Sequence, residues 1–290
     1  MSIQNKIDFA VVFSVKNANP NGDPLNGNRP RTDYYNFGEV SDVCLKRKMR
    51  NRLQDLGQTV FVQSDERRSD EYRSLTDRAK GCEGLSKALN KKDNTLAAEV
   101  ACETWIDVRS FGQVFALKKG EGESGGVSLG IRGPVTIQCA KSIVPVDVST
   151  MQITKSVNSS TEKDPDKKGS DTMGQKHRVD FGIYVTYGSI SPQLAEKTGF
   201  DENDAELIRQ VLVSMFENDA SSARPDGSME VLKVVWWKHN CKSGQYSSAK
   251  VHRCLSVRAK SEGEEIQDIS DCIIEVSSLD DLECNEYEGY

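Results

Sequence analysis

The sequence predicts an α+β fold on the ferredoxin-like β-α-β-β-α-β plan, enlarged by an inserted charged region and a β-hairpin that protrudes beyond the sheet. Three observations carry this. Two stretches with helical period, 41–57 and 203–218, alternate with runs rich in β-branched and aromatic residues at 7–15, 134–157, 179–187 and 229–237. A strongly charged stretch at 63–93 interrupts that order as an insertion. The third is Asn158–Asp171, polar throughout, between two strand-like runs, so those runs form a hairpin with a flexible tip. In the plan both helices cover one sheet face and leave the other free to bind.

Ile7 to Val15 reads as a strand buried on at least one face. It stops at Lys16–Arg31, a loop dense in Asn, Gly and Pro whose amides and side chains could line a phosphate, with Arg29 and Arg31 at its end. A loop of this length inside a compact domain is uncommon unless it has a task. Ser41 or Asp42 can cap the next helix and Gly57 can stop it. On that helix Leu45, Met49, Leu53 and Leu56 form one apolar stripe, which must be buried. Five positive charges fall within Lys46–Arg52: Lys46 and Arg50 on one edge of the stripe, Lys48 and Arg52 on the other, and Arg47 pointing away. They suit either a polyanion or an ordinary solvated flank balanced by acids.

Thr95–Glu103 reads as a short helix and Trp105–Ala116, by alternation, as a strand. Lys118–Gly130 is a Gly-rich loop with neither G-x-G-x-x-G nor P-loop spacing. Strands follow at Pro134–Ala140, Val146–Val157 and Val179–Tyr187, with Lys155, Lys176, His177 and Arg178 gathered at the base of the hairpin. Leu207, Ile208, Val211, Leu212, Met215 and Phe216 define the second amphipathic helix, and Arg224–Gly227 turns into the apolar strand Met229–Trp237. No internal repeat is visible.

The formal net charge of −6 is unevenly placed. Residues 261–290 hold eleven acids and no Lys or Arg, which leaves 1–260 at +5. That acidic segment either solubilises, docks a basic neighbour or repels stray nucleic acid. Eight cysteines lack C-x-x-C pairing, the N-terminal residues form no apolar signal core, and no apolar run approaches the ~20 residues of a membrane span. A reducing cytoplasm and no membrane partner are expected.

Among chemical constellations, Arg109-Ser-Phe-Gly-Gln-Val-Phe115 partly matches the RNA-recognition strand pattern in which rings stack on bases, and Phe111 and Phe115 serve equally well as core. His239, Cys241, His252 and Cys254 would form a Cys2His2 metal site only if a hairpin joined them, at a spacing unlike known fingers. Asp23 and Asp33 either form turns or bind a divalent ion that activates water. No nucleophile motif is present, and no cofactor is expected.

Asn17–Pro24, Leu45–Arg50, Asp107–Gly112, Met151–Lys155 and Met173–Gly182, in that order, resemble the backbone subunit of the type I-C CRISPR Cascade complex, of the RAMP superfamily and the seventh Cas protein family. The resemblance spans nearly the whole chain and is weakest over the last ~30 residues. It implies a single RRM-like palm over 1–290, with a finger-like insertion at 58–104, a thumb hairpin at 148–180 and an acidic C-terminal segment at 261–290. It further implies a non-catalytic protein that polymerises head to tail along guide crRNA and leaves its bases to pair with a target DNA strand. The other Cascade subunits, those that bind the repeat handle and the large subunit, would be partners. By the same resemblance Lys46 and Arg50, with Ser41 at the helix start, touch RNA phosphates. Asn19, Arg29, Arg31 and Arg109 join them, and Gln152, Lys155, Lys176 and His177 with Met151 and Met173 make the RNA-facing base of the thumb. A metal-dependent ribonuclease using Asp23 or Asp33 is the competing expectation.

Overall fold

The structure, a computed structural model, describes residues 1–117, 127–155, 173–261 and 266–290. β1 (Ile7–Ala18) is followed by the anticipated loop, which contains two short strands, β2 (Gly22–Asp23) and β3 (Arg29–Pro30), and leads to β4 (Phe37–Val40). α1 (Asp42–Asp55) is capped by Ser41, whose Oγ accepts the Cys44 N–H at 3.3 Å, and Gly57 follows it at φ +77°. The charged region folds as α2 (Leu75–Gly81), α3 (Glu83–Asn90) and α4 (Asn94–Thr104).

Here the structure departs from the alternation read at Trp105–Ala116. α5 (Ile106–Phe111) comes first, and only then β5 (Gly112–Leu117), paired with β6 (Val127–Arg132). Ile106, Asp107, Val108 and Ser110 are all buried, so this short helix has no polar face to impose a 3.6-residue period. Gly112 ends it at φ +80°, and a Cβ there would stand 2.3 Å from the Ile131 carbonyl oxygen. β6 likewise shortens the loop read as Lys118–Gly130.

β7 (Val135–Ile137), β8 (Ala140–Pro145), β9 (Val148–Thr154) and the long β10 (Met173–Ile190) come next. β9 and β10 pair from Val148↔Val179 to Thr154↔Met173, the anticipated hairpin; its polar tip at 158–171 lies outside the described residues. α6 (Pro192–Thr198), α7 (Glu202–Val213) and β11 (Met229–Lys238) follow, then α8 (Ser248–His252), β12 (Leu255–Ala259), β13 (Cys272–Val276) and β14 (Glu283–Glu288). The main sheet is antiparallel, in the order β14-β11-β1-β10-β8-β4, with β7 and β9 also on β10.

β1 sits at the centre and alternates its side chains between two cores. Phe9, Val11 and Phe13 face α1 and α7, where Leu45, Met49, Leu53, Ile208, Val211 and Leu212 are fully enclosed. Each such side chain contributes roughly 1.5–3 kcal/mol of burial. Leu56, expected on the same stripe, is instead partly exposed, because the helix has already ended at Asp55.

The opposite face is not free, contrary to the expectation from the plan. Ala10, Val12, Ile183, Val185, Val235 and Trp237 are covered by Val251, Cys254, Leu255, Ile266 and Leu282. The residues after β11 carry enough apolar side chains to close that face, and sealing it removes the apolar surface from water. A third core, around Phe61, Trp105 and Phe115 with ring centroids 4.8 and 5.0 Å from Phe61, belongs to α2–α5 and β5–β6.

Candidate nucleic-acid interface

The cations of α1 have unequal freedom. Lys48, placed by sequence on a stripe edge, is only 3% exposed and ion-paired with Asp219 beneath the Phe216 ring. Arg50, 12% exposed, donates from Nε to Asp107 Oδ2 at 2.8 Å and lies over the Phe111 ring at 5.1 Å. Asp107 also accepts the N–H groups of Phe61 (2.6 Å) and Val62 (3.1 Å), so Arg50 completes an anchor between α1 and the start of the charged region. Arg52 donates to Ser214 Oγ and Arg47 to the Val62 carbonyl. Lys46, half-buried, pairs with Asp42 one turn earlier at 3.2 Å.

The loop after β1 is fastened to the start of α1. Asn21 Oδ1 accepts both the N–H and the hydroxyl of Ser41, each at 2.9 Å. Asn19 is buried and donates from Nδ2 to the Asn28 carbonyl at 2.7 Å, which fixes the loop from inside. Arg29 then reaches the hairpin base. Its Nη1 donates to Thr150 Oγ1 at 2.8 Å and lies 3.4 Å from His177 Nδ1, and Thr150 and His177 are themselves 2.9 Å apart. Three residues far apart in sequence are thus brought together. Arg31 turns back onto Asp23 at 3.3 Å.

The register divides the hairpin residues between two faces. Met151 opposes Lys176, while Thr150 opposes His177 and Gln152 opposes Gln175 on the other side. Gln152 Nε2 contacts Met173 Sδ at 2.9 Å, and Met151 and Met173 are exposed. Lys155 lies just past β9 and is exposed. Arg109 stands elsewhere: it grips Asp204 of α7 through Nε and Nη2, both at 2.8 Å, and donates to the Cys102 carbonyl. Phe115 is buried and Phe111 packs against the helix-side core, so of the two uses open to these rings the structure takes the core one.

The two loop aspartates form turns. Asp23 Oδ1 accepts the Leu25 N–H, and Asp33 Oδ1 accepts those of Tyr35 and Phe37. Lys141 beside Asp33 holds that carboxyl below the usual carboxylate range. Among the described residues no three His, Cys, Asp or Glu side chains are grouped as metal ligands. His239 and His252 converge on buried Asp8, at 2.9 and 3.6 Å, while Cys241 and Cys254 contact Ser243 and the Lys250 carbonyl. α8 takes the place of the hairpin that a four-ligand site needed.

A cleft of about 1300 Å³ opens between this loop, the β8–β9 turn and β12, lined by Asn26, Arg29, Asn36, Asp180 and Arg258 among others. Reading the sequence missed Asn21 and Thr150, which orient Ser41 and Arg29. Asx-type loop chemistry could have suggested Asn21; nothing local marks Thr150. No helix among the described residues is long and apolar enough to cross a membrane.

Against known proteins, the family described as CRISPR-associated protein Cas7 matches residues 5–277. A protein of Haloferax volcanii, CRISPR-associated protein Cas7, is 27% identical, covering 96% of this chain and 83% of its own. Two solved structures are similar in part. A chain of a "CRISPR RNA-guided surveillance complex, pre-nicking" is 14% identical, with a TM-score of 0.43 over 80% of this chain and 78% of its own. A chain of a "CRISPR RNA-guided surveillance complex" is 16% identical, with a TM-score of 0.39 over 80% and 68%.

Proposed function

The chain belongs to the Cas7 family of CRISPR-associated proteins, and from that premise we propose that it is a non-catalytic backbone subunit of a type I-C surveillance complex. In this reading copies assemble head to tail in the cytoplasm along one guide RNA, beside the subunits that bind the repeat handle and the large subunit. Each copy holds sugars and phosphates and leaves the base edges to pair with target DNA. The carrying observation is that, among the described residues, the centre of the sheet around β1 is closed on both faces, so bases cannot stack there as they would on an open RNA-recognition sheet. What is left for RNA is the rim: the capped start of α1 with Lys46, the loop with Arg29, and the face of the hairpin base that Arg29 reaches, with Thr150 and His177. Hydroxyls and cations that meet sugars and phosphates suit a binder that must accept every guide sequence.

The order β11-β1-β10-β8, with α1 and α7 on one face, supports a ferredoxin-like palm, with 58–104 as finger and 148–180 as thumb. A head-to-tail contact that does not close yields an open helix, and many weak sites on one RNA add through effective concentration, so modest charge per copy suffices. The turn-forming roles of Asp23 and Asp33 favour this over the metal-dependent ribonuclease.

The test is titration of the protein with RNAs of unrelated sequence and increasing length, at several salt concentrations, with sizing of the complexes. Affinity is expected to be similar across sequences, to fall linearly with salt on logarithmic axes, and copy number to rise with RNA length. Marked sequence preference, or one copy on every length, would reject the proposal.

A further inference from the structure

The turn between β3 and β4 presents Tyr34 and Tyr35, 92% and 71% exposed, edge to face with ring centroids 5.3 Å apart. Single exposed apolar residues are ordinary; two adjacent rings held out on a fixed turn are not. The turn is fixed from every side. Asp33 Oδ1 accepts the N–H of Tyr35 at 2.8 Å and of Phe37 at 2.9 Å, the Asn36 N–H donates to the Asp33 carbonyl at 3.1 Å, and the Asp33 N–H donates to the Phe37 carbonyl at 2.9 Å. Asn36 sits at φ +64°, a conformation asparagine tolerates better than most residues. Its carbonyl accepts the Val146 N–H at 2.9 Å, which ties the tip to the β8–β9 turn. Lys141 pairs with Asp33 and lies over the Phe37 ring at 5.2 Å. A partner therefore meets rings whose backbone ordering cost is already met by the fold.

The surroundings indicate which partner. Thr32 and Asn36, which bracket the tyrosines in sequence, line the same polar cleft as Arg29 and Arg258, and Lys141 pairs with Asp33 at the foot of the turn. Exposed rings on a turn whose flanking residues line a cleft of cations and amides match a nucleotide, with its aromatic face and anionic link, better than an aliphatic protein surface. β4 spans four residues between this turn and Ser41, roughly 13 Å at about 3.3 Å per residue, a reach of a few nucleotides. The geometry points to Tyr34 and Tyr35 as a stacking platform for an unpaired base of the guide RNA, a few nucleotides from the phosphate at Ser41 and Lys46. This rests on the phosphate-holding reading above and adds a base contact that does not read sequence, since every base has a π face.

The experiment compares the full-length parent, the double variant Tyr34→Ala/Tyr35→Ala, the double variant Tyr34→Phe/Tyr35→Phe, and Leu25→Ala, an exposed apolar residue on the preceding turn. Each is titrated with ordinary RNA of two unrelated sequences and with abasic RNA of the same length. The alanine pair is expected to bind both ordinary RNAs about 10- to 100-fold more weakly, in line with the usual worth of one stacked base. The phenylalanine pair and Leu25→Ala should bind as the parent does, abasic RNA should not distinguish any of the proteins, and the salt slope and Tm should be unchanged. The inference is overturned if the alanine pair binds ordinary RNA like the parent, or loses as much on abasic RNA. It is equally overturned if the alanine pair and Leu25→Ala keep first-copy affinity but fail to add further copies, which would make the tip a protein contact. A parent that ignores RNA altogether defeats the proposed function as well, whereas a parent with normal salt dependence and silent tyrosines defeats the platform alone.

Discussion

Replacing Arg50 by alanine separates anchoring from RNA contact on α1. Its Nε proton is one of three that satisfy Asp107, whose carboxylate is fully buried, and truncation leaves that charge with the Phe61 and Val62 N–H groups only. Removing one partner of a buried pair costs about 3–5 kcal/mol. The two remaining N–H donors place this case at the lower end, about 3 kcal/mol. For a chain of 290 residues, with an unfolding entropy of about 2.1 cal/mol/K per residue, that corresponds to a Tm lower by about 5 °C. Lys46→Ala breaks a partly exposed pair with Asp42 and should change stability by less than about 1 kcal/mol. The same substitution should weaken RNA binding on every guide sequence and lower the salt slope by about one. Calorimetry of both variants, with RNA titrations at three salt concentrations, reads the contrast. Adding Asp107→Asn to Arg50→Ala should recover part of the lost Tm, since an amide tolerates the missing cation better than a carboxylate does. An Arg50→Ala protein as stable as the parent, with the RNA defect of Lys46→Ala, would refute the anchor and make Arg50 a phosphate ligand.

Gly188→Ala should lower stability by about 1–3 kcal/mol or more, because its Cβ would stand 2.1 Å from Phe9 Cζ and 2.4 Å from the Thr136 carbonyl oxygen. Gly130→Ala, whose Cβ meets nothing, is the control, and equal melting curves would contradict the packing described. Burial depresses the pKa of His252 below 6.5, against the pull of Asp8 and the Gly188 carbonyl, with Lys6 adding to the depression and Tyr187 and Trp237 alongside. The unfolded chain therefore binds this proton more readily. The contribution is complete above about pH 6.5 and is lost as the pH falls through the lower folded value, so His252→Gln should flatten the Tm-versus-pH curve in that interval. Labelled RNA incubated with the parent and Mn²⁺ or Mg²⁺ should stay intact; cleavage abolished by Asp23→Ala or Asp33→Ala would establish the ribonuclease instead.

Local signals in the sequence located what local forces decide. Ser41 and Gly57 bracket α1 as capping chemistry requires, and β1 and β11 follow from their β-branched runs. α5 was illegible because a helix buried on nearly every side has no periodicity to read. Lys48 looked like a surface cation because its partner, Asp219, lies in a distant loop. The cover over the second sheet face was hidden for the same reason, since β12 and β13 are short and modestly apolar, and only tertiary closure gives them their place. In the candidate site, Ser41 and Lys46 were readable from one helix, whereas the meeting of Arg29, Thr150 and His177 depends on how a loop and a hairpin dock.

The central position of β1 has a consequence for how the protein is made. Ile7 pairs with Ile190 on one side and with Lys238 on the other, so a strand buried along nearly its whole length emerges from the ribosome long before either neighbour exists. Contacts of such sequence separation form slowly and leave sticky nascent chain exposed meanwhile. Cells that produce this protein in quantity should need chaperones that hold the early chain, and translation products that stop short of β11 should be cleared rather than accumulate.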